Sequence, residues 1–148
     1  MARILFVCTG NTCRSALAEA TARARLGGVP GLEFESAGLY ALEEAPATPH
    51  AVQVAADGGA DLSAHRARSV TRAMVEGADR IYVMTRTQAE TLSRMGADLG
   101  GKVALLDPNG EDIPDPYGGD LDVYRRVLRR IEAAVAARIE EWVEAASR

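Results

Sequence analysis

Between Val7 and Ala20 the chain reads VCTGNTCRSALAEA, which places Cys8, Cys13 and Arg14 in one short stretch. The 148 residues contain only two cysteines, and both are here. A structural zinc site takes about four ligands, and Cys8 and Cys13 could recruit only His50 and His65, so no metal is expected. Dithiol oxidoreductases usually space their cysteines as C-x-x-C, whereas four residues separate this pair. Alone, Cys8 fits a cysteine that merely ends a buried strand. Followed by Gly10, Asn11, Arg14 and Ser15, it better fits a nucleophile in an anion cradle. Gly10 lets the backbone turn and Asn11 tolerates a left-handed conformation. Successive inward N–H groups from Thr9 to Ser15, with a helix start behind them, make a nest for an oxyanion. Arg14 adds a planar fork of donors suited to phosphate oxygens. Such surroundings favour a thiolate, and a thiolate beside an arginine can attack phosphorus.

A cradle of this kind needs a strand to end where a helix begins. Arg3 to Cys8 reads as a short, largely apolar strand of the sort buried on both faces of a parallel sheet. Ser15 to about Leu26 carries a helical pattern that Gly27-Gly28 stops. Leu32–Ser36, Ile81–Met84 and Val103–Leu106 read as further strands. Helices are expected from Thr48-Pro49, with Thr48 as cap, from Thr87 to Met95, and from about Leu121 to Ala146. Asp107–Gly119, rich in Pro, Gly and Asp, is a loop. Strands alternating with helices predict an α/β fold: a single three-layer domain over residues 1–148, with a four-stranded parallel sheet and helices on both faces. The phosphate-binding loop follows the first strand, where open α/β sheets bind their ligands.

Composition removes several alternatives. The net charge of −4 and apolar content of 47% describe an ordinary globular chain rather than a nucleic-acid binder. No apolar run reaches membrane-spanning length, and Met1-Ala2-Arg3 leads into a strand rather than a signal peptide. The expected setting is the cytoplasm, without nucleic acid, membrane, metal or cofactor.

At this point the chain resembles a known family. C-T-G-N-T-C-R-S is similar to the cysteine, five residues, arginine, serine signature of low molecular weight protein tyrosine phosphatases. The likeness continues through Ser36-Ala37-Gly38, the segment from His65 to Thr71, Ala78 to Met84, and Asp115-Pro116-Tyr117. Ala16 departs from the Pro of many members. A thiolate attacking a phosphoester needs a proton for the leaving group. Asp115, between Pro114 and Pro116, can be read as a common turn aspartate; the resemblance makes it the general acid, then the base that activates water against a phosphocysteine. The resemblance also implies that Tyr117 and Tyr40 wall the cleft and that His65 braces Asn11. Gly118 replaces an aromatic residue of other members and should open the cleft on that side. Ser15 is expected to donate to the Cys8 thiolate, or simply to cap the helix. Asp120 and Asp122 belong to the start of the last helix, and His50 receives no role.

The expected partners are phosphorylated proteins. Arsenate reductases of the thioredoxin-coupled type resemble the loop but need further cysteines downstream, and none follows Cys13. A non-catalytic phosphate-binding module would have no use for a nucleophile. Between the remaining substrates, Thr12 decides the expectation. Members directed at phosphotyrosine commonly carry an aliphatic residue there, whereas bacterial protein arginine phosphatases resemble this chain in having Thr. The reading therefore leans to phosphoarginine, with phosphotyrosine as the alternative favoured by Tyr117.

Overall fold

The central strand of the sheet is the one that delivers Cys8. In a computed structural model of the chain, which describes residues 1–95 and 99–148, β1 (Ala2–Cys8) lies between β2 (Leu32–Gly38) and β3 (Arg80–Val83). A fourth strand, β4 (Val103–Leu105), pairs with β3, giving a parallel sheet of order β2-β1-β3-β4. This is the expected four-stranded α/β architecture. The helices are α1 (Arg14–Leu26), α2 (Pro49–Asp57), α3 (Arg72–Gly77), α4 (Arg86–Ser93) and α5 (Leu121–Ala146).

Strand periodicity explains why both faces are covered. Side chains alternate across a strand, so Ile4, Phe6 and Cys8 enter the core under α1, α2 and α5, while Leu5 and Val7 pack with Val75 of α3 and Leu92 of α4. The larger face centres on Phe6, Phe34, Tyr82 and Trp142, whose rings lie 5.5–6.1 Å apart in stacked, tilted and edge-on pairs. Trp142 Nε1 donates to Tyr82 Oη at 2.9 Å, so the one polar atom of the buried indole is satisfied.

Several boundaries differ from the expectation, and α3 was not foreseen. Its six residues make too little helix to show a period, and the Thr71 hydroxyl that caps it accepts from Met74 N. The first helix starts at Arg14, so its cap position is Cys13 and Ser15 lies in its first turn. Ala16 is consequently the third helical residue and fully buried, rather than the first. Thr48 does occupy the cap position of α2, but its hydroxyl makes no capping bond and turns to Tyr124 instead.

Candidate active site

The Cys8 thiol sits at the end of β1, 3% exposed, with donors converging on its sulfur. The backbone N–H groups of Asn11 and Ser15 point at Sγ from 3.3 and 3.4 Å. Ser15 Oγ lies 2.9 Å from it. The direction of that contact follows from a neighbour: Asn11 Nδ2 donates to Ser15 Oγ at 2.8 Å. The serine oxygen is thus an acceptor toward Asn11, and of the two acceptors left for its own hydrogen the Cys8 sulfur is nearer than the Ala37 carbonyl, which stands 3.5 Å away. Cys13, not Ser15, takes the cap position of α1, so the capping role read for Ser15 falls away.

Asn11 holds the loop in shape. Its φ of 58° is in the left-handed region, and the residue is wholly buried. Its side chain also donates to Ser36 Oγ at 2.9 Å and accepts from Arg68 N at 3.1 Å. His65 Nε2 meets the Asn11 carbonyl at 2.6 Å, as the resemblance implied, and a carbonyl partner makes that nitrogen the donor. Ser36 then passes the chain on, donating to Glu19 Oε1 at 2.5 Å. Arg68, Ser36 and Glu19 were not singled out from sequence. The first two lie inside quoted similar segments, which was the available signal.

Parallel pairing between β1 and β2 continues past the strand ends into the loop. Leu39 N donates to Cys8 O and Tyr40 N to Thr9 O, both at 2.9 Å. Gly38 permits this approach, because a Cβ there would stand 2.8 Å from Thr9 O and 3.0 Å from Asn11 N. Tyr40 is therefore delivered to the cleft rim by backbone register, and 73% of it is exposed. Tyr117 forms another part of the rim with the same exposure.

Arg14 connects the cradle to the loop between β4 and α5. The side chain is buried, and Nη1 donates to Ile113 O at 2.9 Å. Nη2 lies 3.6 Å from Asp115 Oδ2. Asp115 is half exposed, and its Oδ1 accepts from Tyr117 N at 3.0 Å, which fixes the carboxylate in a turn facing the arginine. The structure thus brings together Cys8, Arg14 and Asp115 around a cleft of about 400 Å³, lined also by Thr9, Gly10, Thr12, Cys13, Tyr40 and Tyr117.

Beneath the loop lies a polar cluster that sequence reasoning missed. Cys13 Sγ is 3.5 Å from Tyr124 Oη and 3.6 Å from Thr48 Oγ1, while Thr48 Oγ1 donates to Tyr124 Oη at 3.1 Å. Burial, followed by the Cys13 contact, pushes the Tyr124 phenol up to about 12, so its hydroxyl keeps its proton. His50, given no role, packs edge-on against Tyr124 with ring centres 5.3 Å apart. Chemically, the arrangement offers a sulfur with three donors, a guanidinium with unused N–H groups and a facing carboxylate.

Comparison with known proteins agrees with this geometry. Residues 3–146 match the family model described as low molecular weight phosphotyrosine protein phosphatase. The chain is 42% identical to a probable low molecular weight protein-tyrosine-phosphatase, EpsP, of Ralstonia nicotianae, over 95% of this chain and 92% of that protein. It is 34% identical to a protein-arginine-phosphatase of Geobacillus stearothermophilus, covering 90% of each. Among solved structures, a low molecular weight protein tyrosine phosphatase from T. tengcongensis superposes with a TM-score of 0.90 at 34% identity, over 95% of this chain and 99% of that one. The chain belongs to the low molecular weight phosphotyrosine protein phosphatase family, hydrolases that act through a cysteine.

Proposed function

We propose that this chain hydrolyses phosphorylated proteins through a phosphocysteine at Cys8, with phosphoarginine as the preferred substrate. The observation that carries the chemistry is the convergence of the Asn11 and Ser15 N–H groups and the Ser15 hydroxyl on one sulfur. Donors to a thiolate stabilise it, and Cys8 needs the thiolate to act. In the first step Cys8 Sγ attacks phosphorus and the S–P bond forms as the bond to the leaving group breaks. Loop N–H groups and the Arg14 Nε and Nη2 groups bind the equatorial oxygens. Arg14 Nη1 is already committed to Ile113 O and contributes position instead. Asp115 gives the departing atom its proton. In the second step Asp115 takes a proton from water, which attacks phosphorus, releases inorganic phosphate and restores the thiolate. The proposed setting is the cytoplasm, whose reducing conditions suit a site with both cysteines free.

The choice of substrate is supported by Thr12, a residue of the cleft lining that carries a hydroxyl. A guanidinium carries only donors, so an oxygen in its path is worth more than a methyl group. Two relatives are named protein-arginine-phosphatase. A second reading, phosphotyrosine, is favoured by the exposed rings of Tyr40 and Tyr117 at the rim, which can flank a phenyl group, and by the name of the EpsP relative. The test is the ratio of kcat/KM for phosphoarginine and phosphotyrosine peptides in wild type and Thr12→Ile. The ratio should fall roughly 10–200-fold in the variant. A wild type that prefers phosphotyrosine, with a ratio indifferent to the substitution, would hand the site to the second reading.

A further inference from the structure

Gln88 lies in the first turn of α4, 5% exposed, and completes a capping box with Thr85. Its Oε1 accepts from the backbone N–H of Met84 at 2.8 Å and of Thr85 at 3.1 Å. Two N–H groups can face only an acceptor, so the amide is held in one orientation with its NH2 group turned to the phosphate loop. There Nε2 donates to Thr9 Oγ1 at 3.2 Å. Among the described residues Thr9 Oγ1 has no other hydrogen-bond partner. A hydroxyl has one hydrogen and two lone pairs. With one lone pair occupied by Gln88, Thr9 keeps a hydrogen and a lone pair for the cleft that it lines beside Thr12 and Tyr40.

Thr9 and Gln88 contribute none of the donors to the Cys8 sulfur, which come from Asn11 and Ser15. Thr9 stands at the rim, with the buried Gln88 behind it. In-line displacement sends the leaving group directly away from the attacking sulfur, out of the cradle and past the side chains at its mouth. We propose that the Thr9 hydroxyl is a second specificity determinant beside Thr12, contacting the group that carries the phosphoryl, and that Gln88 is the positioning residue that orients it. The inference rests on the phosphocysteine reading of Cys8. The favoured leaving group is one rich in N–H donors, which the free lone pair accepts; a phenyl ring has nothing comparable to give it.

The two residues make opposite predictions. Thr9→Val removes the hydroxyl at nearly constant shape, and the phosphoarginine to phosphotyrosine ratio of kcat/KM should fall about 10-fold. Thr9→Ser keeps the hydroxyl and should keep the ratio. Gln88→Glu retains an acceptor for Met84 and Thr85 but replaces the donor, so the Thr9 hydrogen swings to the carboxylate and both lone pairs face the cleft. The ratio should then rise, and the rise should vanish when Gln88→Glu is made in the Thr9→Val background. Melting temperatures measured alongside separate these shifts from damage to α4. A ratio unmoved by Thr9→Val in a folded protein overturns the specificity role. A rise that survives in the double variant overturns the positioning role, because the new charge then acts without Thr9. A wild type that hydrolyses neither peptide removes the phosphatase reading itself, an outcome distinct from both.

Discussion

Asn11 offers the sharpest perturbation, because one side chain carries both the loop's conformation and the direction of Ser15's hydrogen. Asn11→Ala loses bonds to Ser15 Oγ and Ser36 Oγ and leaves Arg68 N without its acceptor. It also asks alanine to hold a φ of 58°. Each lost hydrogen bond is worth about 0.5–1.5 kcal/mol, an orphaned donor about 1–3, and a left-handed alanine about 1–2. Allowing for overlap, the loss should be roughly 3–5 kcal/mol, a large part of the ~5–15 kcal/mol typical of a domain. Asn11→Gly relieves the backbone and should be no less stable than Asn11→Ala, although glycine loosens the unfolded chain. Asn11→Asp is the informative variant. It preserves an acceptor for Arg68 N but presents an oxygen to Ser15, whose hydrogen must then leave Cys8 Sγ for the carboxylate. Turnover should drop while the fold holds, and Cys8 should be alkylated by iodoacetamide more slowly than in wild type under the same conditions. Thermal melts, steady-state rates and alkylation rates measure all three effects. An Asn11→Asp variant with wild-type alkylation and wild-type turnover would refute the claim that Asn11 aims the Ser15 hydrogen.

Three further outcomes are expected. Cys8→Ser should abolish turnover yet retain inorganic phosphate binding by calorimetry, since the N–H groups and Arg14 remain; substantial residual hydrolysis would show that another group attacks phosphorus. Asp115→Asn should slow phosphopeptides and alkyl phosphates by roughly 10²–10⁴-fold and nitrophenyl phosphate far less, and equal losses on both would move the acid elsewhere. Peroxide should oxidise Cys8 to a sulfenic acid whose hydroxyl the Cys13 thiol displaces as water, giving a disulfide that a dithiol reduces. Cys13→Ala should then recover less activity than wild type, and equal recovery excludes the resolving role.

Local features made much of this architecture legible. The apolar run ending at Cys8, the glycine and asparagine after it and the helical pattern from Ser15 are contiguous signals, and they located the cradle. Asp115 was readable as an acid only through resemblance, because an aspartate between prolines is ordinary turn chemistry. The supports were illegible for a physical reason. Arg68 reaches Asn11 across 57 residues, Arg14 reaches Ile113 across 99, and Gln88 reaches Thr9 across 79. Such pairs are set by sheet order and helix placement, which no spacing encodes. Thr48 shows the converse failure: its position at a helix start was read correctly, but a buried tyrosine competes for its hydroxyl and wins.

Sheet order also explains how one loop acquires walls of different character. Because β1 is central, the end of β2 stands on one flank of the cradle and the end of β3 on the other. The β2 flank sends Tyr40 to the rim through the Tyr40 N to Thr9 O bond. On the β3 flank, Ile113 N donates to Met84 O at 2.9 Å, which brings the Asp115 loop against the strand end. Arg14 then grips the same Ile113 from inside the cradle, through its carbonyl. Ile113 is thus pinned by its N–H to the sheet and by its C=O to Arg14, two residues before Asp115. A carboxylate on a free loop would sample many positions relative to the sulfur, and proton transfer demands hydrogen-bond reach. In the proposed mechanism, tethering the Asp115 loop to Arg14 makes the group that would bind the phosphate also the group that sets the distance of the acid from it. Arginine suits this double task where lysine cannot, because a planar fork can spend one N–H group on a carbonyl and still offer others to an oxyanion.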